Sequence, residues 1–149
     1  MPEDIETMLH RDEAEWRALV ALLDAVGEAI VHEPPAPPWN ARDVYAHLAR
    51  WITHSTAAFE AHRDGRNPPP NPPGTDDEIN ARWQAEDTSL SFAQARERAH
   101  AAYERRLSAI RSAPDEAWDN VLRATAHADG YRHYESHRRY IESAGREGG

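Results

Sequence analysis

Apolar residues return every three or four positions through every long segment of this chain, and clusters of proline cut those segments apart. That period belongs to helices with one buried face; no segment keeps the two-residue alternation of a half-buried strand. Ile5, Met8, Leu9, Trp16, Leu19, Val20, Leu23, Val26 and Ile30 draw a single stripe, which predicts a helix over residues 3–32. The run Glu-Pro-Pro-Ala-Pro-Pro at 33–38 ends it, because proline lacks the amide proton and clashes with the preceding turn. A second helix is predicted from Asn40, a good N-cap with Asp43 in the first turn, to about Gly65. Its stripe is Val44, His47, Leu48, Trp51, Ser55, Ala58 and Phe59.

Five prolines between Arg66 and Gly74 predict an extended, polyproline-like crossover. Thr75 and Glu78 have capping-box spacing and open a helical segment carrying Ile79 and Trp83. A break at 87–90 follows, and Ser91 with Gln94 opens a longer helix that Pro114 closes. The last helix is predicted from Thr125 to Ala144, stopped by Gly145, with Gly130, His133, Tyr134, His137, Tyr140 and Ile141 facing inward. These elements predict an all-α fold: a four-helix bundle with a long proline-rich crossover between the second and third helices, as one domain over 1–149.

With 40% hydrophobic and 29% charged residues, 149 residues can bury one core without disulfides. A formal charge of −9 argues against a general nucleic-acid binder, which needs a basic surface; a local strip such as the last helix's arginines could still hold a small anion. The absence of cysteine excludes disulfides, thiolate metal sites and a cysteine nucleophile. The acidic N-terminus lacks a signal-peptide pattern, and no run approaches the ~20 apolar residues that span a bilayer. The expectation is a cytoplasmic protein without membrane contact.

Nine histidines are the chemically unusual feature. His133 and His137 stand one helical turn apart, where their Cβ atoms are about 5–6 Å from one another on one face. His47 falls three residues after Val44 and four before Trp51, on the inward stripe of a different helix. A buried imidazole without a partner costs on the order of 1–3 kcal/mol, and a divalent ion satisfies three together. Three nitrogen ligands leave a coordination position open, as catalytic zinc sites do. Each observation has a plainer reading. A four-apart pair often arises by chance in a histidine-rich chain, and a lone inward histidine is commonly a hydrogen-bonded core residue. Coincidence of all three on two inner stripes favours the metal. His54, seven residues after His47, is a candidate additional ligand, proton carrier or cavity-lining group. Asp129, one turn before His133, is a candidate to orient that imidazole, or a solvated helix-start aspartate. Trp51 and Tyr134 are candidate pocket walls, although such aromatics are more often core. His10, His32, His62, His100 and His127 read as surface residues.

The segment Trp39-Asn-Ala-Arg-Asp-Val-Tyr-Ala-His47-Leu-Ala-Arg-Trp51 resembles the second-helix signature of the DinB/YfiT-like superfamily. His133-x-x-x-His137-Arg-x-x-Ile141 is similar to its last-helix pattern, and Asp77-Glu-Ile-Asn80-x-x-Trp83 is similar to the ClbS/DfsB-like branch. The resemblance implies a four-helix bundle, often dimeric, with a metal held at His47, His133 and His137. It also implies a function among metal-dependent thiol transferases using bacillithiol or mycothiol, a maleylpyruvate isomerase, and a hydrolase acting on a genotoxin. The chain ends soon after its last bundle helix, which counts against the isomerase reaction.

Together these readings lead to a metal-dependent hydrolase or thiol transferase acting on a small electrophile, with Zn, Ni or Fe bound and a low-molecular-weight thiol as a candidate cosubstrate. A homodimer is what the resemblance implies for the assembly. The rival readings are a non-catalytic module that sequesters a small molecule, and a metal-free, pH-sensitive histidine cluster.

Overall fold

A computed structural model describes residues 4–27, 29–32 and 38–147. Its described part is mostly helical: α1 (Ile5–Val26), α2 (Ala41–Arg63), α3 (Asp76–Glu86), α4 (Phe92–Arg111), α5 (Asn120–His127) and α6 (Tyr131–Glu147). The described residues thus hold six α-helices where four are expected, four of the six with 17 residues or more. No described helix is long and apolar enough to cross a membrane.

Local chemistry sets the helix ends. Asp4 accepts from the Thr7 amide at 3.0 Å at the start of α1. Asn40 with Asp43, Thr75 with Glu78 and Ser91 with Gln94 form reciprocal capping boxes on α2, α3 and α4. The helix expected to reach residue 32 stops at Val26, where Gly27 takes a φ of +62° that a side chain would resist. Beyond it, β1 (Ile30–His32) pairs antiparallel with β2 (Trp39–Asn40), so the all-α expectation gains a two-stranded ribbon. Residues 33–37 of the proline run lie outside the described residues. Between α2 and α3, residues 66–72 carry neither helix nor strand.

α2 packs most extensively on α4, and α1 on α6, while α5 lies against α2. One apolar cluster joins them: Leu19 and Leu23 of α1, Val44, Leu48 and Ile52 of α2, Ala99 and Ile110 of α4, and Ile141 of α6. Trp16 stacks on Tyr103 with ring centroids 4.5 Å apart and meets Tyr134 edge-on at 5.1 Å.

The stripe read on α2 merges two adjacent faces. Val44, Tyr45, Leu48, Ile52 and Phe59 are core, whereas His47, Trp51, Ser55 and Ala58 are partly exposed and line a cavity. The predicted last helix is also divided. Asp129, at a φ of +54°, separates α5 from α6 and turns the chain between them.

Candidate metal centre

The break between α5 and α6 is built from a buried ion pair. Asp12 and Arg106 are 0% and 3% exposed, and their charged groups meet at 2.5 Å. The other Asp12 oxygen accepts from the Tyr131 amide at 2.7 Å, and Arg106 donates to the Ala126 carbonyl at 2.6 Å. One carboxylate and one guanidinium thus satisfy backbone groups on both sides of the break. Gly130 sits against them: an added Cβ would lie 2.7 Å from the Arg106 guanidinium and 2.9 Å from Asp12 Oδ1. The pair was legible as two charges within apolar stripes, Asp12 four residues from both Met8 and Trp16, and Arg106 between Tyr103 and Ile110. Neither was singled out from the sequence.

That turn delivers His133 and His137 on the first two turns of α6 opposite His47 of α2. His133 Nε2 lies 2.9 Å from His137 Nε2 and 3.2 Å from His47 Nε2. The three ligand atoms all fall within 4.8 Å of one another. A proton on one of these nitrogens can serve a single neighbour, and the remaining lone pairs then oppose each other. A cation accepts all three. With Zn–N bonds of about 2.0–2.1 Å, tetrahedral ligands stand about 3.3 Å apart and right-angled ones about 2.9 Å apart. The two spacings to His133 Nε2 are of that size, and the donor set fits a divalent ion.

The outer nitrogen of His133 faces a carboxylate. Its Nδ1 is 2.9 Å from Asp129 Oδ1, and the Ser55 hydroxyl donates to Asp129 Oδ2. Burial works to raise the Asp129 pKa, but contact with His133, its charge and the Ser55 hydroxyl together bring it below the usual carboxylate value. An ionised Asp129 at this distance would favour the His133 tautomer with its proton on Nδ1, which leaves the Nε2 lone pair for a metal. On the other side, the Trp39 ring lies 4.9 Å from that of His47. The β ribbon places it there.

A cavity of about 470 Å³ opens beside His47 and His133. Trp51 forms part of its wall, donating its indole N–H to Asn80 at 2.7 Å and meeting Trp83 edge-on at 4.9 Å. His54 is on the same wall, 3.1 Å from Asn71, and does not join the three-histidine cluster. Tyr134 is elsewhere: it is fully buried beside Trp16 and does not line this cavity, because the α6 residue next to His133 points into the core. Asn71, Asp76 and Asn80 line the cavity and were not anticipated; their signal was their place at the end of the crossover and on the first turns of α3.

Of the histidines read as surface residues, His10 is exposed and the side chain of His32 lies outside the described residues. His62 bonds Asp119 at 2.9 Å, and His127 is half-buried. His100 departs most from expectation, half-buried between the Trp16 and Tyr45 rings. Burial, and then the nearby Arg96 charge, lower its pKa.

A family model described as "Mycothiol maleylpyruvate isomerase N-terminal domain" matches residues 13–135, which include His47 and His133 and stop short of His137. No curated protein and no solved structure matches the chain. The match reaches the superfamily and does not extend to the ClbS/DfsB-like branch, whose only support is the Asp77–Trp83 pattern.

Proposed function

The chain belongs to the mycothiol maleylpyruvate isomerase N-terminal domain family, within the DinB/YfiT-like superfamily of metal-binding domains, and on that premise we propose that it is a metal-dependent enzyme acting on a small electrophile. What carries this reading is the convergence of the His47, His133 and His137 Nε2 atoms at coordination spacing beside an open cavity. In this reading α1, α2, α4 and α6 are the four bundle helices, and the proline-rich segment crosses between α2 and α3 near the cavity. The three histidines hold Zn, Ni or Fe. A bound divalent ion of this kind supplies Lewis acidity, lowering the pKa of a coordinated water or thiol and stabilising the anion formed.

The chain's own residues supply the rest. Asp129, held by Ser55, orients His133 and is thereby committed to positioning rather than proton transfer. His54, on the cavity wall, is the group available to accept the nucleophile's proton. Trp51 gives the substrate an apolar surface. Because there is no cysteine, a transferase reaction draws its thiol from outside, and a low-molecular-weight thiol such as mycothiol is the cosubstrate we propose. Hydrolysis is the counterpart with water as nucleophile. We further place the protein in the cytoplasm as a homodimer.

The test is turnover. Metal-loaded protein is incubated with a small electrophile, with and without mycothiol, before and after treatment with a chelator. The reading expects product formation that stops on chelation and returns with added metal. Saturable binding without turnover, indifferent to chelator, would instead establish a sequestering module.

A further inference from the structure

Among the described residues the cavity beside His133 is lined by two carboxylates and three histidines but by no arginine, and from this we propose that its substrate is uncharged or cationic and that dianions such as dicarboxylates are rejected. The inference rests on that cavity being the substrate site.

All 17 residues of the Lys and Arg class are arginines, and among the described residues none lines this cavity, whose basic groups are His47, His54 and His133. They lie elsewhere. Arg50, Arg98 and Arg105 line a different cavity of about 380 Å³ between α2 and α4. Arg138 is paired with Glu15 and Glu142, and Arg139 with Glu135, so these two charges of the last helix are locally neutralised. The cavity at the histidine cluster has instead partly buried Asp129 and exposed Asp76, the first residue of α3, among its lining residues. A divalent ion on the histidines would answer one negative charge of a substrate. A second would find no arginine among the described lining residues, and the Asp76 carboxylate would oppose it.

The remaining polar groups suit neutral oxygens. Asn80 accepts from Trp51 through Oδ1, which leaves its amide N–H groups without a partner among the described residues. Asn71 meets His54 through Oδ1 in the same way. Two primary amides can donate to carbonyl, hydroxyl or ether oxygens, which need no counter-charge. The Trp51 ring, which lines the same cavity, accommodates apolar carbon. An amide, ester or epoxide of a small molecule fits this set; a dicarboxylate does not.

Malonamide and malonate are near-isosteric and differ by two charges, so they test the claim directly. Occupancy is read from the indole N–H cross-peak of Trp51 in a nitrogen–proton correlation spectrum, assigned with Trp51→Phe. Titrations are run on zinc-loaded and on chelator-stripped protein, for the wild type, Asp76→Asn and Asp76→Arg. Stripped wild type should bind malonamide at least about tenfold more tightly than malonate, the effect of one unlike-signed contact missing at a partly solvated site. Asp76→Asn should narrow that ratio and Asp76→Arg should shift it towards malonate by about tenfold or more, in both metal states. Equal binding of the two probes by stripped wild type, no response of Trp51 to either, or a ratio unmoved in a folded Asp76→Asn protein overturns the proposal. A chain that takes up no zinc would defeat the metal reading alone, because the comparison on stripped protein stands without it.

Discussion

His133 carries two duties on one ring. Its Nε2 meets His47 and His137, while its Nδ1 faces Asp129, so in the proposed metal centre the carboxylate would act through the imidazole. Asp129→Asn keeps the shape and tolerates the positive φ of that position, yet removes the charge that fixes the His133 tautomer. We expect metal affinity to fall by about 10–100-fold, with the helical circular dichroism signal unchanged, as measured by competition with a chelating dye. An unchanged affinity would remove Asp129 from the site. Protonation opposes coordination, because a bound imidazole must keep its Nε2 lone pair. Metal uptake should therefore weaken as pH falls below about 6, and a histidine cluster that holds no metal would titrate identically with and without added zinc.

At the scale of elements, the junction of α5 and α6 matters most. Asp12 and Arg106 come from α1 and α4, yet they satisfy the backbone on either side of the break that aims His133 and His137. Removing one partner leaves the other charged and buried, a loss of about 3–5 kcal/mol for Asp12→Ala in urea unfolding. Gly130→Ala forces a methyl group into the same pair and should cost about 1–3 kcal/mol. If Gly130→Ala is as stable as the wild type, the clamp is looser than these contacts imply. This junction was hidden from sequence reasoning for a physical reason: α5 and α6 continue one helical period, and the aspartate that breaks it is stabilised by Ser55, 74 residues away. The capping boxes were visible because their partners are three residues apart. The end of α1 was misplaced because Val26 and Ile30 extend the apolar rhythm past Gly27, whose positive φ ends the helix.

Across the whole molecule, the periodic stripes identified the helical class and put His47 on α2 and both other histidines on α6, which is most of the candidate site. The cavity was less legible, since a one-dimensional stripe does not separate a core face from an adjacent wetted one. Tyr134 and Trp51 illustrate the difference: both follow the rhythm, but one is enclosed by Trp16 and Tyr103 and the other lines the cavity. His100 gives stability a pH dependence of its own. Its folded pKa is lowered from about 6.5, first by burial and then by Arg96, so below that value the unfolded chain binds the proton more readily. Stability should decline as pH drops from about 6.5 through the folded value, and His100→Gln should flatten that decline in denaturant titrations. Equal pH dependence in the two proteins would contradict this assignment.

The most direct measurement is the metal content of protein purified without an affinity histidine tag and without added metal, compared among the wild type, His47→Ala, His133→Ala and His137→Ala. The account expects close to one equivalent of a divalent transition metal in the wild type and its loss in each variant, with helicity largely retained. A wild-type protein free of metal that also fails to take up zinc, or a His133→Ala protein that still binds one equivalent tightly, would contradict it.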